Sequence, residues 1–121
     1  MESKRQSKMA SLLKETMSEI LMKEGPNLYG RSVLASITQA KVTPDVSIVR
    51  FYISTFNAQS NEQIVALLNE NTSLFRKLLG NILRNHLRKI PEIEFYYDDT
   101  LEYAQKMNDL FNEINKEKKS E

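Results

Sequence analysis

The chain has no cysteine and no tryptophan, one histidine, three glycines and three prolines in 121 residues. Without cysteine there is no thiol catalysis, disulfide or thiolate-bound zinc, and the composition agrees with a reducing compartment. No apolar run approaches the roughly 20 residues of a membrane-spanning helix. There is no signal-peptide core. The basic, serine-containing start MESKRQSKMASLL is a poor organelle presequence because Glu2 lies within it and Glu15 and Glu19 follow soon after. A cytoplasmic protein with no membrane contact is expected. No glycine-rich phosphate loop is present, so nucleotide hydrolysis is not expected, nor is any cofactor. A chain of this length makes one domain and buries about two-thirds of its unfolded surface without a metal or disulfide.

The most telling absence is local. Residues 71–91, NTSLFRKLLGNILRNHLRKIP, hold five Lys/Arg and no acid, although the chain has 16 acids. The net charge of +1 conceals this segregation: residues 71–91 sum to +5 and residues 92–121 to −5. Such asymmetry favours a nucleic acid or other polyanion as partner. The plainer reading, a solvated helix face, normally mixes both signs.

The same stretch reads as one amphipathic helix over 71–90. Leu74, Phe75, Leu78, Leu79, Ile82, Leu83, Leu87 and Ile90 recur at the helical period. At about 100° per residue, Lys77, Asn81, Arg84 and Arg88 form a row on the opposite side. Lys77, Arg84 and Arg88 are therefore the leading candidates for phosphate contacts, with Arg76 and Lys89 at the margins. Asn81 and Asn85 can donate to sugar or base edges. Leu78, Leu79, Ile82 and Leu83 should be buried.

Upstream, residues 4–23 form an expected helix with Ser3 as N-cap and Gly25-Pro26 as its stop. Lys4, Arg5 and Lys8 lie at its start, where the helix dipole does not favour cations. They gain nothing there from the helix and could extend a basic surface; a frayed, solvated terminus is the alternative. Residues 33–42 and 46–54 read as two strands about the turn Thr43-Pro44-Asp45. Ser60 with Gln63 opens a short helix over 61–69, and Asn69 to Ser73 break it. Ile93, Phe95 and Tyr97 alternate as a third strand. A last amphipathic helix is expected over 100–115, followed by a disordered polar tail, 116–121. The domain is thus 1–115. The order α-β-β-α-α-β-α implies an α+β fold, a small sheet with helices on it.

Other candidates favour plain readings. His86 falls among the apolar residues of the helical projection and is expected to be partly buried and hydrogen-bonded, since no nucleophile accompanies it. Glu92, Glu94, Asp98 and Asp99 could hold Mg²⁺ for nuclease chemistry, but strand solvation and helix capping explain them better. Tyr52 and Tyr96 could stack bases on an open sheet face, yet a cross-strand pair beside an Arg50–Glu94 ion pair is the simpler account. Gly80 points to close helix packing, with close approach of an RNA phosphate as the alternative.

Three segments resemble the ribosome-binding factor A family. They are Gln6, Lys8, Met9 and Ala10; Thr43-Pro44-Asp45-Val46-Ser47 with Arg50-Phe51-Tyr52-Ile53-Ser54; and residues 87–98, LRKIPEIEFYYD, followed by Thr100-Leu101. The resemblance spans residues 5–110 and implies a KH-like fold of the second type, α-β-β-α-α-β plus a C-terminal helix, with a three-stranded sheet. It implies a protein, monomeric when free, that is not an enzyme. Such a protein binds precursor 16S rRNA and the immature small (30S) ribosomal subunit, assists maturation of the rRNA 5′ end and serves growth in the cold. KH domains clamp backbone with a GxxG loop; this chain has none. The family's Ala-x-Gly kink between two helices corresponds here to Asn71-Thr72-Ser73, and the family's charged C-terminal extension is nearly absent. The rival reading is a protein-interaction module whose basic helix docks on an acidic partner.

Overall fold

A computed structural model describes residues 3–98. The expected helix 100–115, the tail 116–121 and Asp99 lie outside the described residues. Within them the order is α1 (Lys4–Tyr29), β1 (Leu34–Val42), β2 (Ile48–Phe56), α2 (Asn61–Glu70), α3 (Thr72–Leu83) and β3 (Glu92–Tyr97). The α+β class and the α-β-β-α-α-β order are as expected. The sheet runs β1-β2-β3, with β1 antiparallel and β3 parallel to β2.

Alternation along the strands decides which face is buried. Val49, Phe51 and Ile53 of β2 and Ile93 and Phe95 of β3 point inward with Ile37 and Val42 of β1. The helices meet this face with Leu13, Met17, Ile20 and Leu21 from α1, Ile64 and Leu68 from α2, and Phe75, Leu79 and Leu83 from α3. Phe95 is the centre: its ring lies 5.8 Å from Phe51 and edge-on, at 5.5 Å, to Phe75. Aromatic pairs at these separations contribute about 0.5–1.5 kcal/mol beyond their burial.

Three elements differ from expectation by more than one residue. Helix α1 runs through Gly25-Pro26 to Tyr29, and Gly30, at φ 91°, ends it by donating its N–H to the Pro26 carbonyl. Proline in the last turn forfeits one helical bond, while Leu28 and Tyr29, half-buried against the core, favour the extra turn. Tyr29 folds back over Gly25, where an added Cβ would collide with its hydroxyl. That burial raises the Tyr29 pKa.

Strand β2 starts at Ile48 rather than residue 46, because the turn extends to Ser47. Asp45 Oδ1 accepts from the Ser47 N–H and hydroxyl, at 3.2 and 2.8 Å, and from the Thr43 hydroxyl at 2.8 Å. Thr43 Oγ1 in turn accepts from the N–H groups of Ser47 and Ile48. Val46 is held between them at φ 57°, a conformation rare for a β-branched residue.

The largest difference is α3, which ends at Leu83 and not at residue 90. The N–H groups of His86 and Leu87 both reach the Leu83 carbonyl, at 2.8 and 3.0 Å, and close the helix in a turn. The reason is topological. Glu92 must lie beside Ile48 to begin the parallel strand, where its N–H donates to the Ser47 carbonyl at 2.9 Å. Seven more helical residues would carry the chain about 10 Å further along the α3 axis. Instead the segment doubles back, and Ile90 packs on Gly80, where an added Cβ would sit 3.2 Å from Ile90 Cγ1. Close packing does explain Gly80, with a loop residue as the partner.

The expected burial on α3 holds in part. Leu79 and Leu83 are buried and Leu78 is half-buried, but Ile82 is 52% exposed. Because α3 ends at Leu83, no further turn of this helix follows to cover it.

Candidate nucleic-acid interface

The start of α1 is fixed by Gln6. Its Nε2 donates to the Val42 carbonyl at 3.2 Å, and its Oε1 accepts from the Ser3 N–H while Ser3 Oγ accepts from the Gln6 N–H. This reciprocal cap satisfies two donors of the first turn. It also pins that turn, with Lys4, Arg5 and Lys8 exposed, beside the β1–β2 connection. Local helix electrostatics do not favour three cations there; tertiary anchoring by a buried glutamine holds them in place.

On α3, Lys77, Asn81 and Arg84 are exposed and lie opposite the buried Phe75, Leu79 and Leu83. Arg84 is the C-cap, where a cation is favoured by the dipole. The four-residue row is therefore broken. Arg88 and Lys89 are exposed on the returning segment, and together with Arg5 they line a groove of about 480 Å³ between α1, the β1–β2 turn and residues 86–89. A neighbouring depression of about 410 Å³ is shared by Lys4, Arg5 and Lys8 with Met9 and Leu12. The fold thus joins the basic start of α1 to the basic segment after α3, although these lie some 80 positions apart.

His86 is exposed on the groove, contrary to its expected burial. The helical projection placed it inward, and the helix ends before it. Arg76 also takes a different part. Its guanidinium donates through Nε to the Pro91 carbonyl at 3.2 Å and through Nη2 to the Ile90 carbonyl at 3.0 Å. It fastens the returning segment to α3. Asn85 is exposed in the turn after α3.

Between α2 and α3 the bend is a single residue. Asn71 caps both helices at φ −111°, its side chain donating to the Leu67 carbonyl at 2.7 Å. This backbone conformation needs no glycine, so Asn71-Thr72-Ser73 preserve a helix–bend–helix without the family's small residues. Two residues earlier, Asn69 bonds both backbone groups of Phe95: Nδ2 donates to its carbonyl at 3.0 Å and Oδ1 accepts its N–H at 2.9 Å. An asparagine at a helix end gives no hint of this in sequence; the contact spans 26 residues.

On the opposite sheet face, Tyr52 and Tyr96 stack with ring centres 5.8 Å apart. Arg50 Nε lies 3.0 Å from Glu94 Oε1, and the Lys41 ammonium sits 5.6 Å from the Tyr52 ring centre. The Tyr96 hydroxyl donates to the same Glu94 oxygen. The bond to Glu94 raises the pKa of both Arg50 and Tyr96. This is the cross-strand pair with its ion pair. Asp98 Oδ2 accepts from the Thr38 hydroxyl. Among the described residues no three acidic or histidine side chains converge as metal ligands, and no helix is long and apolar enough to cross a membrane.

Residues 5–111 match the family model of ribosome-binding factor A. The chain belongs to this family. Ribosome-binding factor A of Cytophaga hutchinsonii is 39% identical over 121 residues, covering all of this chain and 90% of the relative. That of Chlorobium limicola is 39% identical over 113 residues, 93% of this chain and 92% of the relative. The crystal structure of ribosome-binding factor A from Thermus thermophilus superposes with a TM-score of 0.64 at 20% identity, over 76% of this chain and 93% of that one. A Thermus thermophilus homology model fitted into a cryo-EM map of a 30S complex superposes with a TM-score of 0.59 at 21% identity, over 74% and 90%. These structures share the fold, with its three-stranded mixed sheet.

Proposed function

We propose that this chain is a non-enzymatic assembly factor of the small (30S) ribosomal subunit. It binds precursor 16S rRNA, assists maturation of the rRNA 5′ end and sustains growth in the cold. The observation that carries the reading is the cationic surface of α3 and the returning segment: Lys77, Arg84, Arg88 and Lys89 are exposed with no described acid among them. Asn81 lies within this row, and Lys4, Arg5 and Lys8 extend it across the groove. Family membership supports the same reading, as does the 30S complex of the Thermus thermophilus relative.

Phosphate contacts position such a protein without reading sequence, so recognition is largely of rRNA shape. Binding one rRNA arrangement shifts its population by the difference in affinity between arrangements. That shift matters most in the cold, where misfolded helices melt slowly. The working protein is a cytoplasmic monomer when free.

The test is the salt dependence of binding to a small-subunit rRNA fragment. Changing Lys77, Arg84 and Arg88 to Ala should reduce the slope of log affinity against log salt by about 2, at roughly 0.7 per single-strand phosphate contact. An unchanged slope in a folded variant would remove these residues from the interface. Salt-dependent capture of acidic proteins, without rRNA binding, would instead establish a protein-docking module.

A further inference from the structure

The groove between α1, the β1–β2 turn and residues 86–89 differs in kind from the convex face of α3. We propose that it holds one unpaired nucleotide of an RNA strand, with the phosphate against Arg5, Arg88 and Lys89 and the base against Met9 and Leu87. This rests on the RNA-binding reading above and gives it a second, concave site.

Three features point this way. Its volume of about 480 Å³ falls within the roughly 300–1,000 Å³ typical of small-ligand sites, so it admits a single nucleotide. Its walls are mixed: Met9 and Leu87 are half-buried apolar surfaces, beside cations that project from two separate elements. Unpaired bases are recognised by such surfaces, where a base packs flat while its phosphate meets arginine.

The third feature is Asp45, which also lines the groove. Oδ1 takes all three bonds from Thr43 and Ser47, which hold the carboxylate ionised and leave Oδ2 to accept from a ligand. A nucleobase offers amino or imino hydrogens. The depression beside the groove carries Lys4 and Lys8 at its border and Met9 and Leu12 in its lining.

The single histidine of the chain lies on this groove, so its Hε1 proton gives one NMR signal that needs no assignment. A mixed-sequence RNA trinucleotide should move that signal saturably. The movement should vanish in Arg5→Glu/Arg88→Glu and persist in Lys23→Glu/Arg31→Glu, two exposed cations away from the groove, with circular dichroism confirming the fold of each. Arg5→Gln/Arg88→Gln, which adds no repulsion, should weaken the effect about tenfold, the order expected for lost phosphate contacts.

If wild-type protein binds rRNA while the His86 signal stays still, the groove proposal is overturned and the general RNA-binding reading stands. If rRNA does not bind at all, both fall. Inorganic phosphate that moves the signal equally at equal concentration would reduce the groove to an anion site. A mononucleotide binding as tightly as the trinucleotide would make it a soluble-nucleotide site. Either result overturns the assignment to an RNA strand.

Discussion

Arg76 separates a structural cation from an RNA-contacting one, and Arg76→Met tests the distinction. Methionine keeps much of the apolar stem but removes the fork that holds the carbonyls of Ile90 and Pro91. Hydrogen bonds from a charged group contribute roughly 1.5–3 kcal/mol each when well shielded. Arg76 is half-buried, so water replaces part of what is lost. Pro91, however, is fully buried, which limits that relief. A net loss of about 2 kcal/mol follows, equivalent to a fall in Tm of roughly 10 °C for a domain of this size. Arg76→Lys should recover little, since one ammonium cannot reproduce the two-pronged geometry. Urea denaturation measures the first quantity and salt-dependent rRNA binding the second. The salt slope should stay unchanged wherever the variant is folded. Wild-type stability combined with a slope lower by about 0.7 would refute the reasoning and make Arg76 a phosphate ligand.

Three further outcomes follow from contacts already described. Leu79→Ala should cost about 2–5 kcal/mol in denaturant unfolding, as a fully buried leucine does, whereas Ile82→Ala should stay within about 0.5 kcal/mol. Asn69→Ala leaves both backbone groups of the buried Phe95 without their partner and should cost about 1–3 kcal/mol; Asn69→Asp should fare no better, because a carboxylate oxygen would then face the Phe95 carbonyl. Asp45 titrates below the ordinary value of 3.8 because Ser47 and Thr43 donate to it. A depressed carboxylate stabilises the fold above its unfolded pKa, and that contribution fades as pH falls through the folded value. Thermal melts between about pH 5 and 2 should show an acid-side loss that is smaller in Asp45→Asn.

Much of this was legible in the sequence where the signal is local. The Ser3 cap, the alternation of Val49, Phe51 and Ile53, and the Ser60 cap of α2 depend on neighbours a few residues away. The acid-free stretch and its Lys77–Asn81–Arg84 row needed only a count of charges and a helical period. The family resemblance is likewise carried by short ordered motifs.

The misses at the two helix ends share one cause. Periodicity records which residues are apolar, and Leu87 and Ile90 are apolar and do contact the core. It does not record whether they reach the core on a helix or on a returning loop. That choice belongs to β3, which must start beside Ile48 and so forces the chain to turn at Leu83. Exposure of His86 and Ile82 and the clamp by Arg76 follow from that turn. The same applies at Gly25-Pro26, where core contacts of Leu28 and Tyr29 outweigh the lost helical bond. The sequence by itself determined the six described elements, their order, the inward faces of the strands and the surplus of positive charge, because each arises within a few turns of chain. Only the tertiary structure decided where α1 and α3 stop, and which cations share a groove, because parallel pairing of β2 with β3 joins residues more than 40 positions apart.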